Sequence, residues 1–165
     1  MPLLAAVERG AAWVAACLLA LTGLFLTWEV VARYFFNAPT IWAAELSQLC
    51  LIWACPLAMA WVLSSRRHIR VTALTAQAPR RLRVLLEIFA LLVILVFALV
   101  VVVQGYGIFQ DSLMRGRTSG TMLDPPAWIP EAAIPAGFAL LALSCLANIV
   151  RALRGDIPED GEVME

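Results

Sequence analysis

Apolar residues along this chain fall into four long runs that contain no Asp, Glu, Lys or Arg. The runs are Gly10 to Trp28 (19 residues), Leu46 to Ser65 (20), Ile88 to Gln110 (23) and Ala132 to Val150 (19). At about 1.5 Å of rise per residue, a helix over each run matches the ~30 Å hydrocarbon core of a bilayer and satisfies its own backbone hydrogen bonds there. The pattern predicts an all-α membrane protein with four transmembrane helices.

Composition indicates the same class of protein. Hydrophobic residues occupy 62% of the 165 positions and charged residues 15%, whereas soluble domains have roughly 45–50% and 25%. Residues 1–155 form the predicted four-helix transmembrane domain, and residues 156–165 form a short acidic tail. The first run is too long for a signal peptide and no small-x-small cleavage site follows it, so we expect it to remain as a span.

The second and third runs differ in the side chains that they carry. Ile88 to Gln110 contains sixteen Leu, Ile, Val or Phe residues, and we expect it to face lipid over much of its surface. Leu46 to Ser65 contains only seven. It also carries Ser47, Gln48, Pro56, Ser64 and Ser65. Because polar side chains within a membrane need hydrogen-bond partners, we expect the second span to pack against protein.

The distribution of arginine predicts the orientation in the membrane. All 12 basic residues are Arg, and nine of them lie at the termini or between the second and third runs. The other three are Arg33, Arg115 and Arg117. Because cytoplasmic segments of membrane proteins are enriched in basic residues, both termini are predicted to be cytoplasmic.

The later connections contain local structural signals. Pro79 fits the first turn of a helix, so the third helix is predicted to begin in the cytoplasm before it enters lipid. Residues 69–78 are too polar to span a membrane and predict a short interfacial helix with Leu74 toward lipid. Residues 111–130 are rich in Gly and Pro, which favours an ordered loop.

The sequence has no pattern typical of an enzyme or a cofactor protein. All four cysteines lie inside the runs without a CxxC pair, which favours a packing role. Haem held between helices requires two axial histidines, and His68 is the single histidine. No phosphate loop, HExxH motif or nucleophile elbow is present. We therefore predict no enzymatic activity, no cofactor, no metal site and no nucleic-acid partner.

A polar segment, Glu29 to Glu45, separates the first two runs. Asn37, Ala38 and Pro39 within it predict a tight turn, and Thr40 is predicted to be the N-cap of the second helix. The turn would bring the end of the first helix beside the start of the second. The segment is therefore predicted to be the bend of a helical hairpin.

Charged side chains in this hairpin need partners because they lie close to hydrocarbon. Glu29 and Arg33 are four residues apart and can pair along one helix. Glu45 lies in the first turns of the second helix, on the same helical face as Trp42. The sequence leaves open whether Arg33 pairs with Glu29, with Glu45 or with a residue of a second protein.

The same segment resembles a known family. The stretch VVARYFFNAPTIWAAEL, followed by RRHIRV, is similar to the small membrane (Q-type) subunit of tripartite ATP-independent periplasmic (TRAP) transporters. In that family an Arg ends the first helix, a turn with Pro follows, Trp and acidic residues open the second helix, and His follows basic residues at its cytoplasmic end. The matching positions are Arg33, Pro39, Trp42, Glu45 and His68. The four-span layout extends the resemblance across nearly the whole chain.

The resemblance implies an accessory role in the bacterial inner membrane. The small subunit of the family binds no substrate itself and braces a large multi-span permease subunit, which moves substrate and sodium by an elevator motion. A separate periplasmic substrate-binding protein captures the ligand, an organic acid such as a dicarboxylate, a keto acid or a sugar acid. These two proteins and membrane lipids are the implied partners. The candidates for subunit contacts or structural roles are Glu29, Arg33, Pro39, Trp42, Glu45 and His68.

Several positions depart from the family pattern, and other functions compete with it. The departures are Ala44 in place of an acid, Thr72 in place of an acid, and Pro56 and Ala58 in place of glycine.

An alternative function is a small homo-oligomeric exporter whose four-helix subunits use Glu29 as a proton and substrate site. A membrane redox enzyme is a third hypothesis, which the arrangement of His and Cys disfavours.

Overall fold

The computed structural model describes residues 2–65 and 80–153, and these residues form four α-helices. They are α1 (Pro2–Phe35), α2 (Ile41–Ser64), α3 (Arg80–Arg115) and α4 (Trp128–Leu153). Each contains a segment long and apolar enough to cross a membrane. The predicted all-α protein with four membrane-spanning helices is confirmed. His68, Pro79, the predicted interfacial helix and the acidic tail lie outside the described residues.

The helices extend beyond the charge-free runs. α1 has 34 residues, which corresponds to about 51 Å, and it includes Glu8 and Glu29 as well as the predicted run. Because Glu and Arg are good helix formers, a charge at the membrane boundary does not end a helix. α3 likewise continues to Arg115, so the loop before α4 occupies residues 116–127 instead of the predicted 111–130.

The helices pack in the order α1, α2, α4, α3, since α2 contacts α1 and α4, and α4 contacts α3. Small residues line these contacts, and Ala43, Ala54 and Ala60 of α2 are fully buried. Small side chains permit the close approach on which van der Waals packing between membrane helices depends. α2 and α4 approach closely at Pro56 and Gly137, because a Cβ atom added to Gly137 would lie 2.8 Å from the carbonyl carbon of Pro56.

α2 and α3 have different surroundings. The hydroxyls of Ser47, Ser64 and Ser65 donate to carbonyls of α2 itself at 2.7, 3.1 and 3.2 Å, a common way to satisfy a hydroxyl within a helix. On α3, Phe89 and Val103 are 66% and 70% exposed. α3 thus exposes a broad apolar surface, whereas α2 lies between two other helices.

Candidate functional site at the hairpin end

α1 ends in a tight turn that leads into α2. Asn37 has a left-handed backbone conformation (φ 51°), which Asn tolerates better than most residues. The backbone N–H of Ala38 donates to the carbonyl of Ala32 at 3.1 Å and closes the end of α1. The turn lies at the same end of the bundle as residues 116–127, and we call this the hairpin end.

Glu29 joins α1 to the start of α2. Its side chain is 9% exposed, and its Oε1 accepts a hydrogen bond from Arg33 Nη2 at 2.8 Å. Its Oε2 accepts the backbone N–H of Thr40 at 3.0 Å and also the hydroxyl of Thr40. Both carboxylate oxygens therefore accept hydrogen bonds from the same chain. The bonds from Thr40 hold the residue that precedes α2 against α1.

Thr40 and Arg33 contribute differently to this link. Thr40 occupies the N-cap position of α2, as expected, with an extended backbone (φ −95°, ψ 125°). Its hydroxyl donates to Glu29, and its oxygen accepts no capping bond from a backbone N–H of α2. The Arg33 side chain is 60% exposed, and exposed ion pairs four residues apart on a helix contribute little to stability. Thr40 is thus the more protected link between the two helices.

Glu45 connects α2 to the second loop of the hairpin end. Its Oε2 accepts the hydroxyl of Thr121 at 2.8 Å, and its Oε1 accepts the backbone N–H of Leu123 at 3.2 Å. Of the partners that the sequence left open for Arg33, the structure places Glu29 beside it and turns Glu45 toward this loop. The two acids of the hairpin therefore have separate structural roles.

The second loop is ordered, as its composition predicts. Ala127 N–H donates to the Arg117 carbonyl at 2.9 Å, and the Asp124 carboxylate accepts the Gly120 N–H at 3.1 Å. Gly120 and Asp124 both have positive φ, 67° and 48°. The Asp111 carboxylate also holds the start of the loop, because it pairs with the Arg117 guanidinium at 2.8 Å. Glu45 thus binds a loop that already has a defined shape.

The remaining predicted residues lie in different surroundings. Trp42 packs edge-to-face on Phe25 of α1, with ring centroids 5.9 Å apart and an interplanar angle of 81°. Pro39 is exposed in the turn. The hairpin end therefore brings together Glu29, Arg33, Trp42 and Glu45, although Trp42 contacts α1 while Glu45 contacts the loop. His68 lies outside the described residues.

A polar contact inside the bundle was not predicted from the sequence. Glu8 is 4% exposed, and its Oε1 accepts the hydroxyl of Ser144 on α4 at 2.5 Å. Asn148, one turn along α4, is 6% exposed, and within residues 2–65 and 80–153 its Oδ1 has no hydrogen-bond partner. An acid two positions before the first charge-free run indicates that a polar partner is needed near the membrane. The sequence could not identify that partner, because Ser144 is 136 residues away.

Chemical groups that could hold a metal ion are not clustered in the part of the chain that the structure describes. No three His, Cys, Asp or Glu side chains gather there. The four cysteines are free, and Cys145 is buried while Cys17 and Cys55 are exposed. The hairpin end contains charged groups that bind other parts of the chain, and its geometry is that of a structural junction.

Comparison with known proteins identifies the family. Residues 22–155 match the family described as tripartite ATP-independent periplasmic transporters, DctQ component. A curated relative, the sialic acid TRAP transporter small permease protein SiaQ of Vibrio cholerae serotype O1, is 29% identical over 81 residues. That match covers 49% of this chain and 47% of the relative, so it spans about half of each protein. The family match covers most of the chain, the four helices long and apolar enough to span a membrane agree with it, and this chain therefore belongs to the DctQ component family of TRAP transporters.

Proposed function

We propose that this chain is an accessory subunit that braces the large permease of a TRAP transporter in the bacterial inner membrane. In this assembly a periplasmic binding protein delivers an organic acid, and the large subunit moves it with a sodium gradient. The chain itself binds no substrate and catalyses no reaction. Membership of a family of transporter components supports this accessory role. The partners, the substrate class and the sodium coupling are part of the proposal.

The observation that carries the proposal is the use of the acids at the hairpin end. A sodium-coupled carboxylate site needs free cation ligands, anion-binding groups and broken helices near the bilayer midplane. Here Glu29 is occupied by Arg33 and Thr40, and Glu45 is occupied by the second loop. These groups hold segments of the chain together, so they favour a brace over a carrier.

The same contacts disfavour the exporter hypothesis. A proton and substrate site on Glu29 would require a carboxylate that can exchange its partners during transport. Both oxygens of Glu29 are held near the end of α1, one by Arg33 and one by Thr40. Glu8 is more deeply buried, but its described partner is Ser144 of the same chain. Neither acid has the open surroundings that a transport site needs.

The substrate class rests on analogy. The relative from Vibrio cholerae is named for sialic acid, which is a sugar acid. This agrees with an organic acid as the transported ligand and supports no finer choice among dicarboxylates, keto acids and sugar acids. The cognate periplasmic binding protein, tested against one member of each class, would identify the ligand.

Reconstitution tests the accessory role. This chain alone in liposomes should take up no organic acid under an inward sodium gradient. Liposomes that contain the large permease and receive the binding protein should take up the ligand only when this chain is also present. Uptake by this chain alone would overturn the proposal, and so would full uptake by the other two components without it.

A further inference from the structure

One face of α2 remains open although the helix lies between two others. The open positions recur at intervals of three or four residues, so they form one stripe along the helix. We call it the Gln48 stripe, and it consists of Ala44, Gln48, Leu51, Cys55 and Met59, all exposed. Ser47 on one flank lies close to Thr22 of α1, and Pro56 on the other flank meets Gly137 of α4.

Gln48 is the one residue of this stripe whose polar side chain is unfavourable in lipid. It is the third residue of the charge-free run, about 11 Å from the midpoint of that run at 1.5 Å per residue, and this lies inside the ~15 Å half-thickness of the hydrocarbon core. The serines of α2 bond to carbonyls of their own helix. The side-chain amide of Gln48, by contrast, makes no hydrogen bond to any residue that the structure describes. An amide facing hydrocarbon without a partner is costly.

We propose that the Gln48 stripe binds a transmembrane helix of the large permease subunit. This inference rests on the proposed function, because that function supplies a second membrane protein. The bound helix presents a polar side chain or a free carbonyl at the depth of Gln48, and a hydrogen bond between helices satisfies the amide. Ala44 and Cys55 are small, so the two helices approach closely on both sides of this bond.

Gln104 of α3 provides the comparison within the same chain. It is also exposed in an apolar run. The helix that carries it, α3, packs extensively against α4 and has no comparable contact with any other helix that the structure describes. The Gln104 amide has the same cost in lipid, but its run contains sixteen Leu, Ile, Val or Phe residues against seven in the run of α2, so α3 inserts with a larger margin to offset that cost. Val100 and Val103, the neighbours of Gln104, are 54% and 70% exposed. We assign the protein-binding face to α2 and the lipid face to α3, and matched variants can separate the two.

Photo-cross-linking locates the face directly. A photoreactive residue replaces Leu51 on the stripe or Val96 on α3, which are 44% and 53% exposed, and the complex is purified through a tag on the large permease. The probe at position 51 should join this chain to the permease, with at least fivefold lower yield from position 96. Products that contain two copies of this chain would overturn the inference, as would equal yields from both positions.

Leucine substitutions test the amide itself. Gln48→Leu should weaken retention of this chain on the tagged permease about three- to tenfold, the size expected for one hydrogen bond between membrane helices. Gln104→Leu should leave retention unchanged. The thermal midpoint of the isolated chain should not fall in either variant, since neither amide has a hydrogen-bond partner among residues 2–65 and 80–153. The reverse order of the two variants would overturn the inference. Failure of the unmodified chain to bind the permease would instead overturn the proposed function.

Discussion

Thr40 donates both its backbone N–H and its hydroxyl to Oε2 of Glu29, eleven residues earlier in the chain. The two bonds join the last turns of α1 to the residue that precedes α2. A carboxylate near a membrane boundary needs partners, and here the turn itself supplies two of them. The hairpin is therefore closed by a contact between an acid and an N-cap residue, with the ion pair to Arg33 added on its exposed side.

Thr40→Val should weaken the hairpin more than Arg33→Ala. The first substitution removes a protected hydroxyl donor and should lower the thermal midpoint of the purified subunit by about 2–4 °C. The second removes the solvent-exposed partner of Glu29, whose carboxylate keeps its bonds to Thr40, and should lower it by about 1 °C. Thermal unfolding in detergent measures both. A larger loss for Arg33→Ala in the isolated subunit would show that the ion pair is the principal link.

Glu45 and Thr121 should be energetically coupled. Glu45→Ala removes both hydrogen bonds from α2 to the second loop and Thr121→Val removes one of them, so trypsin should cleave more rapidly after Arg117 in either variant. The free energy of unfolding lost in the double variant should be smaller than the sum of the two single losses by about 0.5–1.5 kcal/mol. Glu45→Ala combined with Arg33→Ala should be additive to within about 0.5 kcal/mol. Strong coupling in this second pair would indicate direct pairing of Arg33 with Glu45.

Gly137 should not tolerate a side chain. Gly137→Ala would place its methyl group against Pro56, and overpacking of this kind costs about 1–3 kcal/mol. Gly107→Ala is the matched control, since nothing lies within 4 Å of its added Cβ, and alanine is the better helix former. In detergent, the free energy of unfolding should therefore fall for Gly137→Ala and should not fall for Gly107→Ala. Equal stability would mean that α2 and α4 can separate at this point without cost.

The general architecture could be predicted from the sequence because it depends on local composition. Four charge-free runs predict four membrane helices without knowledge of their neighbours. Helix ends were less predictable, since Glu29 and Arg115 continue their helices beyond the apolar runs. The predicted loop before α4 was therefore too long.

Partners of polar side chains could not be predicted in the same way. The sequence left Glu29, Glu45 and a residue of a second protein open as partners of Arg33; in the structure Arg33 pairs with Glu29, and Glu45 binds the second loop. The bond between Glu8 and Ser144 joins residues 136 positions apart, and no local pattern contains that information. The family resemblance identified the polar segment as important, but it did not show that Glu45 binds Thr121.

The orientation of the chain is a further prediction. The excess of arginine at the termini and between α2 and α3 predicts that the hairpin end faces the periplasm. In a variant without the native cysteines, Ser119→Cys should react with an impermeant maleimide added to intact cells, and Ser65→Cys should react only after the cells are permeabilised. Labelling of position 65 from outside intact cells would reverse the orientation.

Reversible cross-linking during transport tests the brace role most directly. A disulfide is formed between this chain and the part of the permease that stays fixed during transport, and sodium-driven uptake is measured in proteoliposomes before and after reduction. A brace does not move with the cargo, so the cross-linked complex should retain most of the uptake of the reduced complex, and the disulfide should form in both inward-facing and outward-facing states. Loss of uptake that returns on reduction, or a disulfide that forms in only one state, would contradict a fixed brace.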